Sequence, residues 1–589
     1  MECLRIWAPA AREVRIEIGG ILRHMERVEG GWWQLNDLPL EHGTDYAVIL
    51  DEKKPVPDPR ALWQPAGVEG PSRVFDHSLF EWTDTGWQTR PLSSALIYEL
   101  HTGTFTPEGT FRAIENHLDH LLDLGVSHIE LMPVNGFPGS RGWGYDGVNL
   151  YAPYEPYGGP EGLKQFVNTC HGRGMGVILD VVYNHLGPAG NYLDWFGPFY
   201  SNRYHTPWGR ALNFDGEGSH EVRRFFCDNA LMWLRDYHFD GLRIDAVHAI
   251  YDRSAVHFLE QLAEEVHDLE SRVGRHLFLI AESDLNDPRI VQKREVGGYG
   301  MHAQWCDDFR HSLHGVLTGE KNGYHGDFGT LADLAQALKK AFVYDGRFSR
   351  YRDRHHGRPV RMLSGHNFLA YLQNHDQIGN RARGERSSQL MGIGRLKIAA
   401  ALILTSPFIP MLFQGEEWGA STPFQYFTDH QDPELGKAIK NGRQEEFSAF
   451  GWNPDEIPDP QAVETFERSK LKWIEKESEP HRSILEWHKK LIRFRRTIPE
   501  LADGRLDRVR TGFDEEKKWL WVQRGVVTVA CNLAAHPQQI AIPCPVPRLL
   551  LASEPGVEAV EGRIRLPADS VAIVKVESGM ELAFPSSVR

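Results

Sequence analysis

The chain has few cysteines for its length, and they are widely separated. Its 589 residues include six cysteines, and no two of them stand in a CxxC spacing. This usage excludes a disulfide framework and a structural zinc site, and it is typical of reduced cytosolic thiols. The N-terminus lacks a basic stretch followed by an apolar core, so the sequence shows no signal peptide and predicts a cytoplasmic protein. The cysteines are Cys3, Cys170, Cys227, Cys306, Cys531 and Cys544.

Long apolar runs and excess positive charge are absent as well. The longest apolar stretch, residues 399–413, is interrupted by Thr405, Ser406, Pro407 and Pro410. It is too broken for a transmembrane helix, which needs about 18 or more consecutive apolar residues. The formal net charge of −15 at pH 7 argues against nucleic acid or an anionic membrane as the main partner. We therefore predict a partner that is neither nucleic acid nor membrane.

Several common catalytic and cofactor motifs are also missing. The chain contains no GxxxxGKS/T phosphate loop, no GxSxG nucleophile elbow and no HExxH zinc motif. These absences exclude the corresponding nucleotide, serine-hydrolase and zinc-protease chemistries, and we predict neither a cofactor nor a metal. Asp180 and Asn184 could bind calcium, but Asn184 could equally hold the long loop that follows the third predicted strand.

What the chain does contain is three regions of different apolar periodicity. Residues 1–92 show short alternating runs separated by Gly and Pro turns, which predicts a β-sandwich like a carbohydrate-binding module. Residues 93–500 alternate eight apolar runs with amphipathic stretches, which predicts an α/β catalytic domain, a (β/α)8 TIM barrel. Residues 501–589 return to strand periodicity and predict a C-terminal antiparallel β domain. Long insertions at 185–219 and 419–480 are typical of loops that build an active site.

The barrel prediction assigns strands and helices along residues 93–500. The predicted strands are 96–100, 128–133, 176–182, 242–247, 277–281, 303–306, 369–373 and 409–413. The predicted helices are 113–124, 163–173, 222–237, 255–269, 331–342, 393–404 and 483–496. The helix after the fifth strand is poorly marked, because Pro288 and the pair Gly297-Gly298 occupy that region.

Polar side chains cluster at the ends of four predicted strands. Asp245, Glu282 and Asp376 follow the fourth, fifth and seventh strands, and the strand ends of a parallel barrel meet at one mouth. Arg243 stands two residues before Asp245, so a strand places both on one face, where the guanidinium would keep that carboxylate ionised. Glu282 follows an apolar run, which favours an acid/base role. This pattern predicts a retaining glycosidase; an ion pair that only stabilises the fold is the alternative.

The same strand ends resemble the α-amylase superfamily, glycoside hydrolase family 13. The matching motifs are residues 180–185, 241–248, 280–284 and 372–376. The resemblance implies that Asp245 is the nucleophile, Glu282 the proton donor and Asp376 the transition-state stabiliser. It also implies that Arg243, His185 and His375 line the subsite for the attacked glucose and that Tyr145, in Gly144-Tyr145-Asp146, is a stacking platform. His248, just beyond the fourth strand, is a further candidate for substrate binding.

A finer likeness covers nearly the whole chain and points to the trehalose-releasing hydrolases of that superfamily. It rests on residues 98–106, 133–139, 203–209, 304–309, 373–381, 384–386 and 426–429. The likeness implies maltooligosyl trehalose as substrate, cleavage of the α-1,4 bond next to the terminal trehalose, and functional pairing with a maltooligosyl trehalose synthase. It also implies substrate contacts from residues 310–314 and 375–380. Arg310 departs from the histidine expected there. The implied contacts are Arg310, His311, His314, His375, Gln377 and Asn380.

Two other interpretations compete with this one. A 1,4-α-glucan branching enzyme shares the domains and the three carboxylates, but it typically has Glu-His after the second strand and Ser-His-Asp before the third carboxylate. Here those places hold Asn135-Gly136 and Asn374-His375-Asp376, which favours the hydrolase. A binding protein built on an inactive barrel would lack at least one carboxylate, and all three are present. Trp32 and Trp33 could bind starch or pack the N-terminal domain, and we favour packing.

Overall fold

Eight parallel strands in the middle of the chain form a closed barrel. The computed structural model describes residues 3–36, 39–448, 452–453 and 456–576. The strands follow one another around the barrel in sequence order, and the last strand pairs with the first. The predicted fold class, a TIM barrel between N-terminal and C-terminal β domains, is confirmed. The strands are β1 (Ile97–Leu100), β2 (His128–Leu131), β3 (Gly176–Val181), β4 (Gly241–Ile244), β5 (Phe278–Ala281), β6 (Ala303–Trp305), β7 (Phe368–Ala370) and β8 (Ile409–Phe413).

Helices cover the outside of the barrel. Every residue of β3 is buried, as expected for strands with a packed interior on one face and helices on the other. Amphipathic stretches supply those helices, because one apolar stripe per helix suffices to cover the sheet. The numbered helices are α1 (Phe111–Glu115), α2 (Leu118–Leu124), α3 (Gly159–Gly172), α4 (Ser219–Asp236), α5 (Phe258–Val273), α6 (Asp307–Thr318), α7 (Leu331–Lys340), α8 (Ile393–Leu404), α9 (Pro433–Ser448) and α10 (His481–Thr497), of which α9 borders the barrel mouth. Short unnumbered helices are Thr102–Phe105, Leu193–Phe196, His375–Gly379, Ser387–Leu390, Val463–Ser469 and Pro499–Ala502.

The predicted helix 113–124 is wrong as a single element. Two helices, α1 and α2, replace it, with Asn116 and His117 between them. The predicted helix 255–269 starts too early, because α5 begins at Phe258 after His257, whose ring accepts from the Leu259 N–H. Between β5 and β6 the described chain forms only short 3-10 turns, at Pro288–Ile290 and Arg294–Val296, as the proline and glycines there favour.

Two barrel strands end three residues before their predicted ends, and both places matter for the site. The predicted run 242–247 ends at Ile244, and the run 369–373 ends at Ala370. Ala246 has φ 38°, in the left-handed region, so strand geometry cannot continue past Asp245. Asp245 consequently stands on a turn at the barrel mouth and Asp376 in a short helix there, His375–Gly379, where a substrate can reach both.

The N-terminal strands form two sheets that pack against the barrel region. One sheet has three strands and the other four. Trp33 is buried and donates its indole N–H to the Ala8 carbonyl at 3.0 Å. Trp32 is half-buried and donates to Glu221 Oε1 of α4 at 3.2 Å, which ties this domain to the barrel. Both tryptophans therefore pack, as the sequence favoured.

The C-terminal strands form a five-stranded and a three-stranded antiparallel sheet. They begin at Val509 and end at Val576, and residues 577–589 of the predicted domain lie outside the described residues. The first insertion carries a hairpin, Tyr200–Thr206 with Gly209–Leu212, and the second carries α9. In the part of the chain that the structure describes, no helix is both long enough and apolar enough to cross a lipid bilayer.

Candidate active site

Hydrogen bonds join the ends of β3, β4 and β5. The Asp245 N–H donates to Val181 O at 3.0 Å, and the Glu282 N–H donates to Ile244 O at 3.0 Å. Beyond the strand, the Ala246 N–H donates to Glu282 Oε2 at 2.8 Å and the Val247 N–H donates to Glu282 O at 2.9 Å. A left-handed alanine costs about 1–3 kcal/mol, and these bonds hold it. The strained turn aims Asp245 and Glu282 into the same cleft.

Arg243 lies under Asp245 and Glu282 and contacts both of them as well as Asp180. Its side chain is fully buried, with Nη1 at 2.7 Å from Asp180 Oδ2 and 2.9 Å from Asp245 Oδ1. Its Nη2 lies 2.8 Å from Glu282 Oε2, and its guanidinium stacks 4.1 Å from the Trp305 ring centroid. A buried guanidinium is tolerated only with such compensation. The predicted contact between Arg243 and Asp245 is confirmed, and Arg243 anchors the site from below.

The pKa of Asp245 differs from what its neighbour Arg243 alone would give. Burial and the charge of Glu282 raise the pKa of Asp245 well above its ordinary value. Burial also opposes the charge of Glu282, but Arg243 and the Ala246 N–H outweigh it and lower the pKa of Glu282. Arg243 lowers the pKa of Asp245 but does not outweigh burial and Glu282, because one guanidinium serves three carboxylates.

His375 and Tyr145 form the floor beside Asp376. The Tyr145 hydroxyl donates to Asp180 Oδ2 at 2.5 Å and lies 2.8 Å from His375 Nε2. The two rings stack with centroids 5.0 Å apart. His375 Nε2 lies 3.6 Å from Asp376 Oδ1, and burial raises the pKa of Asp376 while His375 opposes that rise. The His375 imidazole therefore supports the Tyr145 ring from below. The sequence predicted that ring as a stacking platform.

The main cleft has a volume of about 650 Å³ and opens at the C-terminal end of the barrel strands. Most of the predicted site residues border it, and they come from five segments that each follow a barrel strand. The predicted residues in its wall are Tyr145, His185, Asp245, His248, Glu282, His375, Asp376 and Asn380. Sequence reasoning missed Trp143, Asp146, Trp208, Tyr426, Ile439 and Arg443.

Trp208 is the most exposed of the missed aromatic residues in this wall. It stands at the tip of the hairpin in the first insertion and is 49% exposed. Its ring stacks on His185, with centroids 4.9 Å apart and planes 12° from parallel. An open aromatic face suits the apolar C–H face of a sugar ring. The aromatic-rich insertion was a signal for it, but periodicity alone does not show which aromatic residue reaches the cleft.

A side cavity of about 270 Å³ adjoins the main cleft and shares Asp376 and Asn380 with it. Gln377 and His311, both predicted contacts, stand in its wall. Burial raises the pKa of Asp307, which also borders the cavity, to about 7. The cavity is polar on several sides. Its remaining wall residues are Asp284, Asn286, Asp308, Tyr324, Phe328, Tyr344, Tyr351 and Arg352.

Arg310 and His314 lie behind the cavity wall and do not border either cavity. Arg310 is buried, and its Nε donates to Leu372 O at 3.1 Å. His314 is buried on the same helix, with Nε2 at 2.7 Å from Glu320 Oε2. Direct substrate contact by these two residues stays a prediction. In this arrangement they support the wall that His311 belongs to.

One group of side chains among the described residues has a metal-ligating arrangement. It consists of His314, Glu320 and His325. Arg381 pairs with Glu320 at 2.9 Å, and Arg310 Nη1 lies 3.2 Å from His325 Nε2. Two guanidinium groups therefore already balance its one carboxylate, and a cation would be repelled. Asp180, the calcium candidate, is likewise occupied by Arg243 and Tyr145.

Known proteins resemble this chain along almost its full length. A trehalohydrolase from Rhizobium sp. strain M-11, named malto-oligosyltrehalose trehalohydrolase, is 48% identical over 579 residues, which cover 97% of each chain. The chain belongs to the malto-oligosyltrehalose trehalohydrolase family. It is accordingly a glycosidase of the α-amylase superfamily, as the strand-end motifs indicated.

Further comparisons agree with membership of the trehalohydrolase family. A solved structure titled a putative alpha amylase from Salmonella typhimurium is 37% identical, with a TM-score of 0.89 and coverage of 97% of each chain. The family profile for the alpha amylase catalytic domain matches residues 74–207, and a domain of unknown function matches residues 504–573. A branching enzyme from Bacillus caldolyticus is 34% identical but covers only 51% of this chain and 50% of its own.

Proposed function

We propose that this protein hydrolyses the α-1,4-glucosidic bond next to the terminal trehalose unit of maltooligosyl trehalose and releases trehalose. The observation that carries the proposal is the pairing of the two cavities. The main cleft holds the three carboxylates, and the side cavity opens beside Asp376. The glucan would occupy the main cleft and the trehalose the side cavity. The close family relationship supports this choice of substrate.

The side cavity suits a compact, hydroxyl-rich leaving group. Its volume of about 270 Å³ lies just below the roughly 300–1,000 Å³ typical of ligand sites. Asp284 and Arg352 pair across its wall at 3.0 Å, and Asp307 and Gln377 present further donors and acceptors. Sugar hydroxyls are recognised by such groups, since each hydroxyl both donates and accepts. Trehalose, a disaccharide without a reducing end, would occupy this cavity as the whole leaving group.

The reaction would proceed in two displacements. In the first, Asp245 attacks the anomeric carbon while Glu282 gives a proton to the departing oxygen of trehalose. The glycosidic C–O bond breaks and a bond from carbon to an Asp245 oxygen forms. In the second, Glu282 takes a proton from water, which attacks the same carbon and frees Asp245. Two inversions leave the configuration unchanged. Asp376 would orient the sugar hydroxyls.

Product analysis tests the proposal directly. Purified protein is incubated with maltotriosyl trehalose, with maltopentaose and, separately, with amylose followed by iodine staining. We expect equal amounts of trehalose and maltotriose from the first substrate and slower cleavage of the second. Failure to release trehalose would contradict the proposal. A change in iodine colour without new reducing ends would establish the branching alternative instead.

A variant of the side cavity separates the two substrates. We expect Arg352→Met to raise KM for maltotriosyl trehalose by about tenfold, since a hydrogen bond to a charged group contributes about 1.5–3 kcal/mol. KM for maltopentaose should change less, because that substrate does not carry the trehalose unit. The matched control is Arg350→Met, two residues away and exposed outside the cavity. Equal losses on both substrates would show that the cavity does not select trehalose.

Two further expectations accompany the function. A maltooligosyl trehalose synthase would supply the substrate, and the cytoplasm would be the shared location. Both stay predictions from the sequence.

A further inference from the structure

A chain of buried polar groups runs beneath the floor of the main cleft. Glu99 on β1 is 1% exposed and contacts His375 Nδ1 through its Oε1. His375 Nε2 lies 2.8 Å from the Tyr145 hydroxyl, which donates to Asp180 Oδ2 at 2.5 Å. Asp180 is in turn paired with Arg243 on both of its oxygens, at 2.8 and 2.7 Å. This series of polar groups connects the buried Glu99 carboxylate to Arg243, which contacts Asp245.

Counting protons along this chain determines the state of His375. A tyrosine hydroxyl has one hydrogen, and Tyr145 uses it towards Asp180, which the Arg243 guanidinium keeps as an acceptor. The Tyr145 oxygen can then only accept from His375 Nε2. Glu99, as a carboxylate, can only accept from His375 Nδ1. Both ring nitrogens must therefore carry hydrogen, which makes His375 an imidazolium.

We propose that Glu99 is a positioning residue that holds His375 as an imidazolium cation under Asp376. The cation lies 3.6 Å from Asp376 Oδ1 and under the stacked Tyr145 ring, so it supports both groups that face the sugar. It also supplies the positive charge that three clustered carboxylates need beyond Arg243. Nothing in the strand-end motifs identifies Glu99, because it lies on β1, which contributes no catalytic carboxylate.

The pKa of His375 is consistent with this geometry. Burial disfavours the charged ring, but the Asp376 and Glu99 carboxylates outweigh burial and raise the pKa of His375 to about 9. The cation is therefore present at neutral pH and is lost as the pH rises through that value. The groups that surround His375 come from every element packed against it. The titratable and charged groups facing it are Glu99, His101, Glu130, Tyr145, Asp180, Arg243, Glu282 and Asp376.

The adjacent strand offers a matched control. Glu130 on β2 stands in register with Glu99 and is also fully buried. Neither of its carboxyl oxygens has a hydrogen-bond partner among the residues that the structure describes. Burial and the charge of Glu99 raise the pKa of Glu130 well above its ordinary value, which favours its neutral form. Of the two neighbouring carboxyl groups, Glu99 is the one that contacts His375 Nδ1.

The test compares Glu99→Gln with Glu130→Gln. Both changes keep the shape of the side chain, but only the first removes a charge. Because Glu99 raises the pKa of His375, its loss should lower that pKa by about 2–3 units. We expect the alkaline limb of the profile of kcat/KM against pH to move to lower pH by about 2–3 units, and kcat at neutral pH to fall about two- to tenfold as the cation is lost. Glu130→Gln should leave both unchanged, and Glu99→Asp should restore part of the limb.

A second readout needs no substrate. The ring N–H protons of His375 are followed by NMR, with resonances assigned by their loss in His375→Asn. At about pH 8, wild type and Glu130→Gln should retain both protons, and Glu99→Gln should lose one. An unshifted alkaline limb together with a retained imidazolium in folded Glu99→Gln would overturn the inference. Since the NMR arm does not depend on the choice of glucan, it also separates this inference from the proposed function.

Discussion

Asp245→Ala is expected to lower kcat on maltotriosyl trehalose by roughly 10⁴-fold or more, as the loss of a covalent nucleophile does in other enzymes. The fold should persist, because the Asp245 backbone N–H, which bonds Val181 O at 3.0 Å, is unchanged. Removing one of three buried carboxylates also lessens their mutual repulsion. Turnover is measured as trehalose released, with circular dichroism and the melting temperature as checks on folding.

Azide distinguishes a nucleophile from a merely structural carboxylate. The alanine leaves space for azide to attack the anomeric carbon, which forms a carbon–nitrogen bond while trehalose departs with the proton of Glu282. We expect rescue of trehalose release and a glycosyl azide of inverted configuration. Asp194→Ala, an exposed aspartate of the first insertion, serves as the matched control and should keep full activity. Near-wild-type turnover of Asp245→Ala would reject the assignment.

Glu282→Gln is expected to lower kcat on the same substrate by about 10²- to 10⁴-fold, the usual contribution of a general acid. Glutamine can still accept the Ala246 N–H, which now lies 2.8 Å from Glu282 Oε2, so the turn after β4 should remain. What is lost is the proton for the departing oxygen of trehalose. Glu264→Gln, an exposed glutamate on α5, is the control.

The leaving group decides whether Glu282 acts as the acid. An α-maltosyl fluoride needs no proton to depart, so its first displacement should be nearly unaffected by Glu282→Gln. The second displacement would still lack a base, and we expect an initial burst of fluoride followed by slow turnover. A loss on the fluoride as large as that on maltotriosyl trehalose, with no burst, would contradict an acid role for Glu282.

Asp245 and Glu282 influence each other's titration. Burial and the charge of Glu282 raise the pKa of Asp245. Burial opposes the charge of Glu282, but Arg243 and the Ala246 N–H outweigh it and lower the pKa of Glu282. Because the two groups share one guanidinium, they titrate as a pair with joint pKa values. A sugar that displaces the Arg243 contact of Glu282 would raise the pKa of Glu282, as a role as proton donor requires.

Much of the fold followed from periodicity. The run 409–413 coincides with β8, and the amphipathic stretch 393–404 coincides with α8. These elements were predictable because buried parallel strands are continuously apolar and helices carry an apolar stripe. The split between α1 and α2, and the early ends of β4 and β7, were not. They depend on single residues such as Ala246, whose backbone is held by the side chain of a distant glutamate.

The sequence by itself determined the fold class and the family, and it singled out three carboxylates as catalytic candidates, because strand-end residues keep their order along the chain. Only the tertiary structure decided which loops share a wall. It put Trp208 on His185 and moved Arg310 and His314 out of the cleft. It also decided the charges, since Arg243, Glu99 and His375 meet only when the barrel closes. Burial and distance determine pKa values, and neither can be derived from residue order.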